Sequence, residues 1–149
     1  MELRYVTEDD LPRVGTLERE CFSVPWSEAS LAYAMREPHT RMLAATEDGT
    51  VIGYAVGCIL FEEMEIMNLA VDAGFRRRGV GAALLSALLA EGERAGCTRA
   101  LLEVRESNTA ARTLYSRFGF TAYGRRAGYY RLPMEDAILM ERRKDTRNS

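Results

Sequence analysis

Arg76-Arg77-Arg78-Gly79-Val80-Gly81-Ala82-Ala83-Leu84-Leu85 is the stretch on which the reading of this chain turns. It follows an apolar, strand-like segment, Ile66 to Val71, and opens a run with helical spacing: Val80, Leu84, Leu85, Leu88 and Leu89, ended by Gly96. A strand, a glycine-bearing turn and a helix start leave main-chain N–H groups without partners, at the positive end of the helix dipole. Such a place suits an anion, and a pyrophosphate in particular. Glycine at 79 and 81 lets phosphates approach the main chain with no Cβ in the way. No Lys-Ser/Thr pair follows, as a Walker phosphate loop requires, and the glycines lack G-x-G-x-x-G spacing. The pattern that remains is R-x-x-G-x-G/A.

The rest of the composition narrows the choice. A chain of 149 residues, 47% hydrophobic and 28% charged, suits one globular domain with its own core. The net charge of −2 gives no global field to recruit nucleic acid or an anionic membrane, so neither is expected as a partner. The arginine run therefore needs a local explanation. Cys21, Cys58 and Cys97 are far apart, odd in number and set among apolar residues, as reduced thiols of the cytoplasm are. With His39 the only histidine and no ligand spacing, no metal is expected. The N-terminus does not read as a signal peptide and no apolar run reaches membrane-span length, so the expected location is cytoplasmic.

Along the chain, Leu3 to Val6 reads as a first strand and Thr7-Glu8-Asp9-Asp10 as a capped helix start, with Val14, Leu17, Cys21 and Phe22 as its buried stripe. Ser27 caps a second helix from Glu28 to Arg36. Asp48-Gly49 is a hairpin turn between two strands, and Phe61-Glu62-Glu63-Met64 a further turn into a strand beginning at Glu65. Gly53 and Gly57 suggest a bend or a close backbone approach. Ala100 to Val104 is a strand, and Ser107 is the expected cap of a helix closed by Gly119. Two strands follow, Phe120 to Tyr130 and Ala137 to Glu141, so that one domain spans 1–141 and a polar tail 142–149. The order β-α-α-β-β-β-α-β-α-β-β is an α+β arrangement with helices packed on a central sheet.

A second motif lies downstream of the arginine run. Leu101-Leu102-Glu103-Val104-Arg105-Glu106-Ser107-Asn108-Thr109-Ala110-Ala111-Arg112-Thr113-Leu114-Tyr115-Ser116-Arg117-Phe118-Gly119-Phe120 contains N-x-x-A-x-x-L-Y-x-x-x-G-F. With R-x-x-G-x-G/A, it resembles the GNAT N-acetyltransferases. The segment L-E-V-R-x-S-N, with Pro25-Trp26-Ser27, Asn68-Leu69-Ala70-Val71, Tyr129-Tyr130 and Glu135-Asp136-Ala137-Ile138, is similar to the RimI branch, bacterial acetyltransferases of protein N-terminal α-amines. The resemblance runs to about residue 141. It departs after Tyr130, where Arg131-Leu132-Pro133-Met134 is shorter and Ala127-Gly128 replaces the residue before the tyrosine pair, which bears on the acceptor more than on activity.

The resemblance implies the GNAT acyl-CoA N-acyltransferase fold, a mixed central sheet with helices on both faces. It implies acetyl-CoA as co-substrate and the N-terminal segment of an acceptor protein, a ribosomal one, as partner. On the residues alone, Glu103 reads as a strand charge paired with an arginine, and Tyr115 as a core residue on the stripe of Ala111 and Phe118. The resemblance makes Glu103 the general base and Tyr115 the general acid. A phenol, protonated at pH 7, can give its proton to the leaving sulfur, and an α-amine with a reference pKa of about 7.7–8.0 asks little of a base.

Arg76, Arg77, Arg78, Gly79, Val80, Gly81 and Ala82 would hold the pyrophosphate, with one of the three arginines a surface charge. Leu69, Ala70 and Val71 would pair the pantetheine arm through their main chain, as an added strand does. Asn108, freed from capping if Ser107 is the cap, would bind the same arm or the acceptor. Trp26, Tyr129 and Tyr130 would wall an acceptor groove, and Glu62, Glu63 and Glu65 would attract a cation from an otherwise solvated turn. No cysteine lies in either motif, so direct transfer is expected. A GNAT acting on lysine or a small amine, and a CoA-binding sensor without turnover, stand as alternatives.

Overall fold

The computed structural model describes residues 1–144. Strand β1 is Glu2–Tyr5, helix α1 Leu11–Cys21 and helix α2 Glu28–Arg36. Strands β2, β3 and β4 are Thr40–Glu47, Thr50–Leu60 and Glu63–Val71. Helix α3, Val80–Arg94, leads to β5, Arg99–Arg105, then α4, Thr109–Arg117, and the closing strands β6, Thr121–Tyr130, and β7, Glu135–Arg143. The strands form one seven-stranded sheet in the order β1-β2-β3-β4-β5-β7-β6. Only β4 and β5 run parallel.

Alternating side chains give this sheet two buried faces. On one, Val14 and Leu17 of α1 and Leu31 of α2 pack on Met42, Ala44, Tyr54, Val56 and Ala70. On the other, Val80, Leu84, Leu85 and Leu88 of α3 and Tyr115 of α4 meet Leu43, Ile52, Ala55, Ile66, Leu102 and Val104. Helices therefore cover both faces, as the resemblance implied. Gly53 marks a close approach: a Cβ there would stand 2.9 Å from the Ala70 carbonyl oxygen and 3.1 Å from a Leu84 methyl.

Three expectations are corrected. The first helical segment opens with a 3-10 turn, Glu8–Asp10, before α1. Helix α4 is capped by Asn108 and not by Ser107: Asn108 Oδ1 accepts from the Ala111 N–H at 3.2 Å. The Ser107 N–H is instead drawn to Glu135 Oε2, 2.7 Å away. Strand β7 also runs past Glu141, because β5 starts early enough to pair Arg142 with Ala100 and Arg143 with Arg99. The polar tail thus starts no earlier than Lys144, and its residues 145–149 lie outside the described ones.

The feature that matters for function is where the parallel pair ends. Glu63–Ile66 of β4 pair with Arg99–Leu102 of β5, yet β4 continues to Val71 and β5 to Arg105. Opposite β3, Val56 pairs with Asn68 and Gly57 with Ile66, which leaves Met67 as an extra residue in β4. A bulge of this kind bends its strand and increases the local twist. β4 and β5 separate beyond it.

Candidate active site

The separated strands open onto a cleft of about 540 Å³. Its walls come from the end of α1 and the segment after it, from β4, β5 and α4, and from the end of β6. Another hollow beside Met64 and Arg142 holds only about 20 Å³, room for little more than a water.

The β4 wall presents main chain. The Asp72 N–H donates to the Ile52 carbonyl at 2.7 Å, so alternate residues face β3 and the main-chain groups of Leu69 and Val71 face the gap. The Val71 carbonyl accordingly receives contacts from that side, from Cys21 Sγ at 3.6 Å and Arg76 Nε at 3.4 Å. Ala70 is buried and held in the ladder opposite Tyr54.

Beyond β4, Asp72 Oδ1 accepts from the Gly74 N–H at 2.8 Å and fixes a 3-10 turn, Ala73–Phe75. Arg77 and Gly79 then take positive φ, 65° and 79°. Gly79 starts α3 in the left-handed conformation with no side-chain cap, a geometry that a Cβ would strain. The first helical donor is Ala83, bonded to the Gly79 carbonyl at 3.0 Å. The N–H groups of Gly79, Val80, Gly81 and Ala82 have no partner within the helix. Of the arginines, Arg78 lies over the Phe75 ring at 5.2 Å and Arg76 turns back toward Val71.

Glu103 and Tyr115 both line the cleft. Glu103 has the arginine partner that its residue type suggests, Arg126 at 3.5 Å, but Arg126 is 57% exposed and the pair is loose. The Tyr129 hydroxyl faces Glu103, and the interaction with that carboxyl, ahead of burial, raises the Tyr129 pKa. Tyr115 packs against Phe120 with ring centroids 5.7 Å apart and is only 8% exposed. Among the described residues no buried side-chain oxygen is without a partner. The Tyr115 hydroxyl has no bonding partner there, so the small exposed part of the residue includes that oxygen. Burial pushes the phenol up to about 12, which keeps it protonated through the neutral range. Asn108 also reaches the cleft. Its carbonyl oxygen is committed to the cap, and its amide NH2 is the group left to donate.

On the acceptor side the structure brings Trp26, Tyr129 and Tyr130 to the same cleft. The two tyrosine rings meet edge to face at 5.0 Å. Arg105 lies over Tyr130 at 4.6 Å and holds the Arg131 and Pro133 carbonyls at 2.7 and 2.9 Å and Ser23 Oγ at 3.1 Å. It lashes the β6–β7 connection to the segment after α1.

The acidic turn is corrected. Glu63 starts β4 and pairs with Arg99 at 2.8 Å, and only Glu65 lines the cleft. Leaving water at the cleft wall, and then the nearby Glu103 charge, raise the Glu65 pKa. Sequence reasoning also passed over Glu18, which is 1% exposed beneath the cleft. The signal was available: Glu18 is four residues after Val14 and three before Cys21, a carboxyl on an apolar stripe.

Residues 11–120 match the acetyltransferase (GNAT) family. The chain belongs to that family. Along its length it is 36% identical over 133 residues to the [ribosomal protein bS18]-alanine N-acetyltransferase of Escherichia coli K12, covering 88% of this chain and 89% of that one. It is also 36% identical over 143 residues to the N-alpha-acetyltransferase RimI of Mycobacterium tuberculosis, covering 92% and 89%. The crystal structure of the ribosomal-protein-S18-alanine N-acetyltransferase from Escherichia coli superposes with a TM-score of 0.90 at 32% identity, over 97% of this chain and 94% of that one. This GNAT chain is therefore RimI-like over nearly its whole length, and it is an acetyltransferase. Among the described residues no group of three or more His, Cys, Asp or Glu gathers as a metal site, and no helix is long and apolar enough to cross a membrane.

Proposed function

We propose that this protein moves the acetyl group of acetyl-CoA to the N-terminal α-amine of a protein, with an N-terminal alanine of ribosomal protein bS18 as first candidate and the cytoplasm as its place of work. One observation carries the reading: the free edge of β4, Glu103 and Tyr115 line a single cleft, and β4 leads directly to the unpartnered N–H groups that open α3. The names of the relatives supply the acceptor class.

The residues present fit acetyl-CoA. The N–H groups of Gly79 to Ala82, with the neighbouring Arg76 to Arg78, suit a pyrophosphate. The main chain of Leu69 and Val71 offers a strand edge to an amide-bearing arm, and the Asn108 amide can add a hydrogen bond. Acetyl-CoA supplies an activated thioester. The Val71 N–H polarises its carbonyl. Glu103, directly or through a water, takes the proton from the attacking amine as the N–C bond forms. Tyr115 gives its proton to sulfur as the C–S bond breaks. Trp26, Tyr129 and Tyr130 wall the acceptor's first residues.

The test pairs two peptides with the purified protein and acetyl-CoA, read by mass spectrometry. One begins with a free alanine and lacks lysine, and the other is N-terminally blocked and carries lysine. Acetylation of the first alone is expected. Acetylation of the second alone overturns the α-amine reading. Acetyl-CoA binding without turnover on either peptide points away from protein N-termini altogether.

A further inference from the structure

The buried group that the proposed chemistry leaves unused is Glu18. It is 1% exposed and accepts from neutral donors on separate elements. Oε2 takes the Trp26 main-chain N–H at 2.9 Å, from the segment joining α1 to α2. Oε1 takes the Asn68 side-chain amide at 2.8 Å, from β4, and the Tyr54 hydroxyl, from β3. Burial, and then the hydrogen bond to Glu18, raise the Tyr54 pKa far above its ordinary value, so Tyr54 remains the donor.

These contacts join two structures that the sequence keeps far apart. Asn68 follows Met67, the extra residue at which β4 leaves β5. Trp26 belongs to the opposite, acceptor-side wall, with Phe22, Ser23 and Val24. One side chain thus holds the wall against the bend that opens the cleft. Only an acceptor with two oxygens satisfies every donor at once. A glutamine would turn its NH2 toward at least one of them, and a buried donor left facing a donor loses its hydrogen bond.

We propose that Glu18 is a positioning residue that fixes the acceptor side of the cleft by tying the Trp26 segment to the bulged part of β4. This rests on the acetyl-transfer reading above for its kinetic consequence, and on geometry alone for its structural one. The hydrogen bonds of this network do not include the N–H groups at the start of α3, so the pyrophosphate end of the acetyl-CoA site lies outside it, and only Leu69, next to Asn68, adjoins it.

Trp26 is the single tryptophan of the chain, and intrinsic fluorescence therefore reports its wall directly. In Glu18→Gln, emission should move to the red and acrylamide quenching should increase. The KM for the alanine peptide should rise about tenfold, the effect of one lost charge-assisted hydrogen bond. The KM for acetyl-CoA should stay within about twofold. Unchanged fluorescence in the folded variant overturns the proposal, and so does an equal rise in both KM values. Should Glu18→Gln fail to fold, Tyr54→Phe keeps the ring and the carboxyl and removes one donor, and unchanged quenching there overturns it equally. A wild-type protein inactive on the peptide sinks the acetyl-transfer reading, and the fluorescence arm then decides the tether by itself.

Discussion

Ile66 of β4 pairs with Leu102 of β5, and it is the last pair those two strands make. Every group assigned to the proposed reaction stands beyond that pair or above the gap it leaves. Had the ladder continued, Leu69 and Val71 would have spent their main-chain groups on β5, with no edge to offer a ligand. The Met67 bulge is thus the event that turns a structural sheet into a site.

Replacing Glu103 with Gln keeps the shape and removes the proton acceptor. We expect kcat to fall by about 10- to 100-fold with acetyl-CoA affinity little changed. The loss should be greatest at low pH, where the amine is protonated and needs the base, and should shrink as pH rises past about 8. Full activity of Glu103→Gln from pH 6 to 9 would make the carboxyl only the partner of Arg126.

Tyr115→Phe removes a hydroxyl that bonds nothing among the described residues and keeps the ring packed on Phe120. Stability should therefore change by less than about 1 kcal/mol. The single-turnover rate should drop by about tenfold or more, since no group is left to protonate sulfur. An unchanged single-turnover rate would reduce Tyr115 to packing.

Gly79→Ala tests the start of α3. With φ at 79° and nothing within 4 Å of the added Cβ, the substitution meets backbone strain and no clash. The expected penalty is about 1–2 kcal/mol, taken either in stability or as a turn that misaligns its N–H groups. The KM for acetyl-CoA should rise while the acceptor KM holds, and a titration of each substrate separates the two.

Asp10 should govern the acid limb of stability. Arg4 donates to its two oxygens at 2.6 and 2.9 Å, and this pairing, with the Thr7 N–H at 2.8 Å, holds its pKa at about 2, below the ordinary 3.8. A lowered folded pKa means stability that is complete above the unfolded value and lost as pH falls toward 2. Arg4 is partly exposed, so Asp10→Asn should remove roughly 1–2 kcal/mol at pH 7, measured by urea unfolding. It should also flatten the decline below about pH 4. An equally steep decline in the variant would assign the acid limb to other groups.

What could be read without coordinates was local in origin. The turn at Asp48-Gly49, the stripe of Val80, Leu84, Leu85, Leu88 and Leu89, and the glycine that opens α3 each depend on residues within a few positions of one another. The cap of α4 shows the limit of such reading. Ser107 and Asn108 were both competent, and the cap fell to Asn108, while the Ser107 N–H meets Glu135, 28 residues away.

The sequence by itself determined the order of the elements, the free N–H groups of an anion site and, through motifs spread along the chain, the family. Only the tertiary structure decided that Met67 would be left over between β3 and β5, that Glu65 of β4 would line the cleft, and that Glu18 would lie beneath it. Glu18 meets Tyr54 and Asn68 across 36 and 50 residues. A strand's register and a carboxyl's burial depend on which distant residue stands opposite, and neighbours in sequence carry no record of that choice.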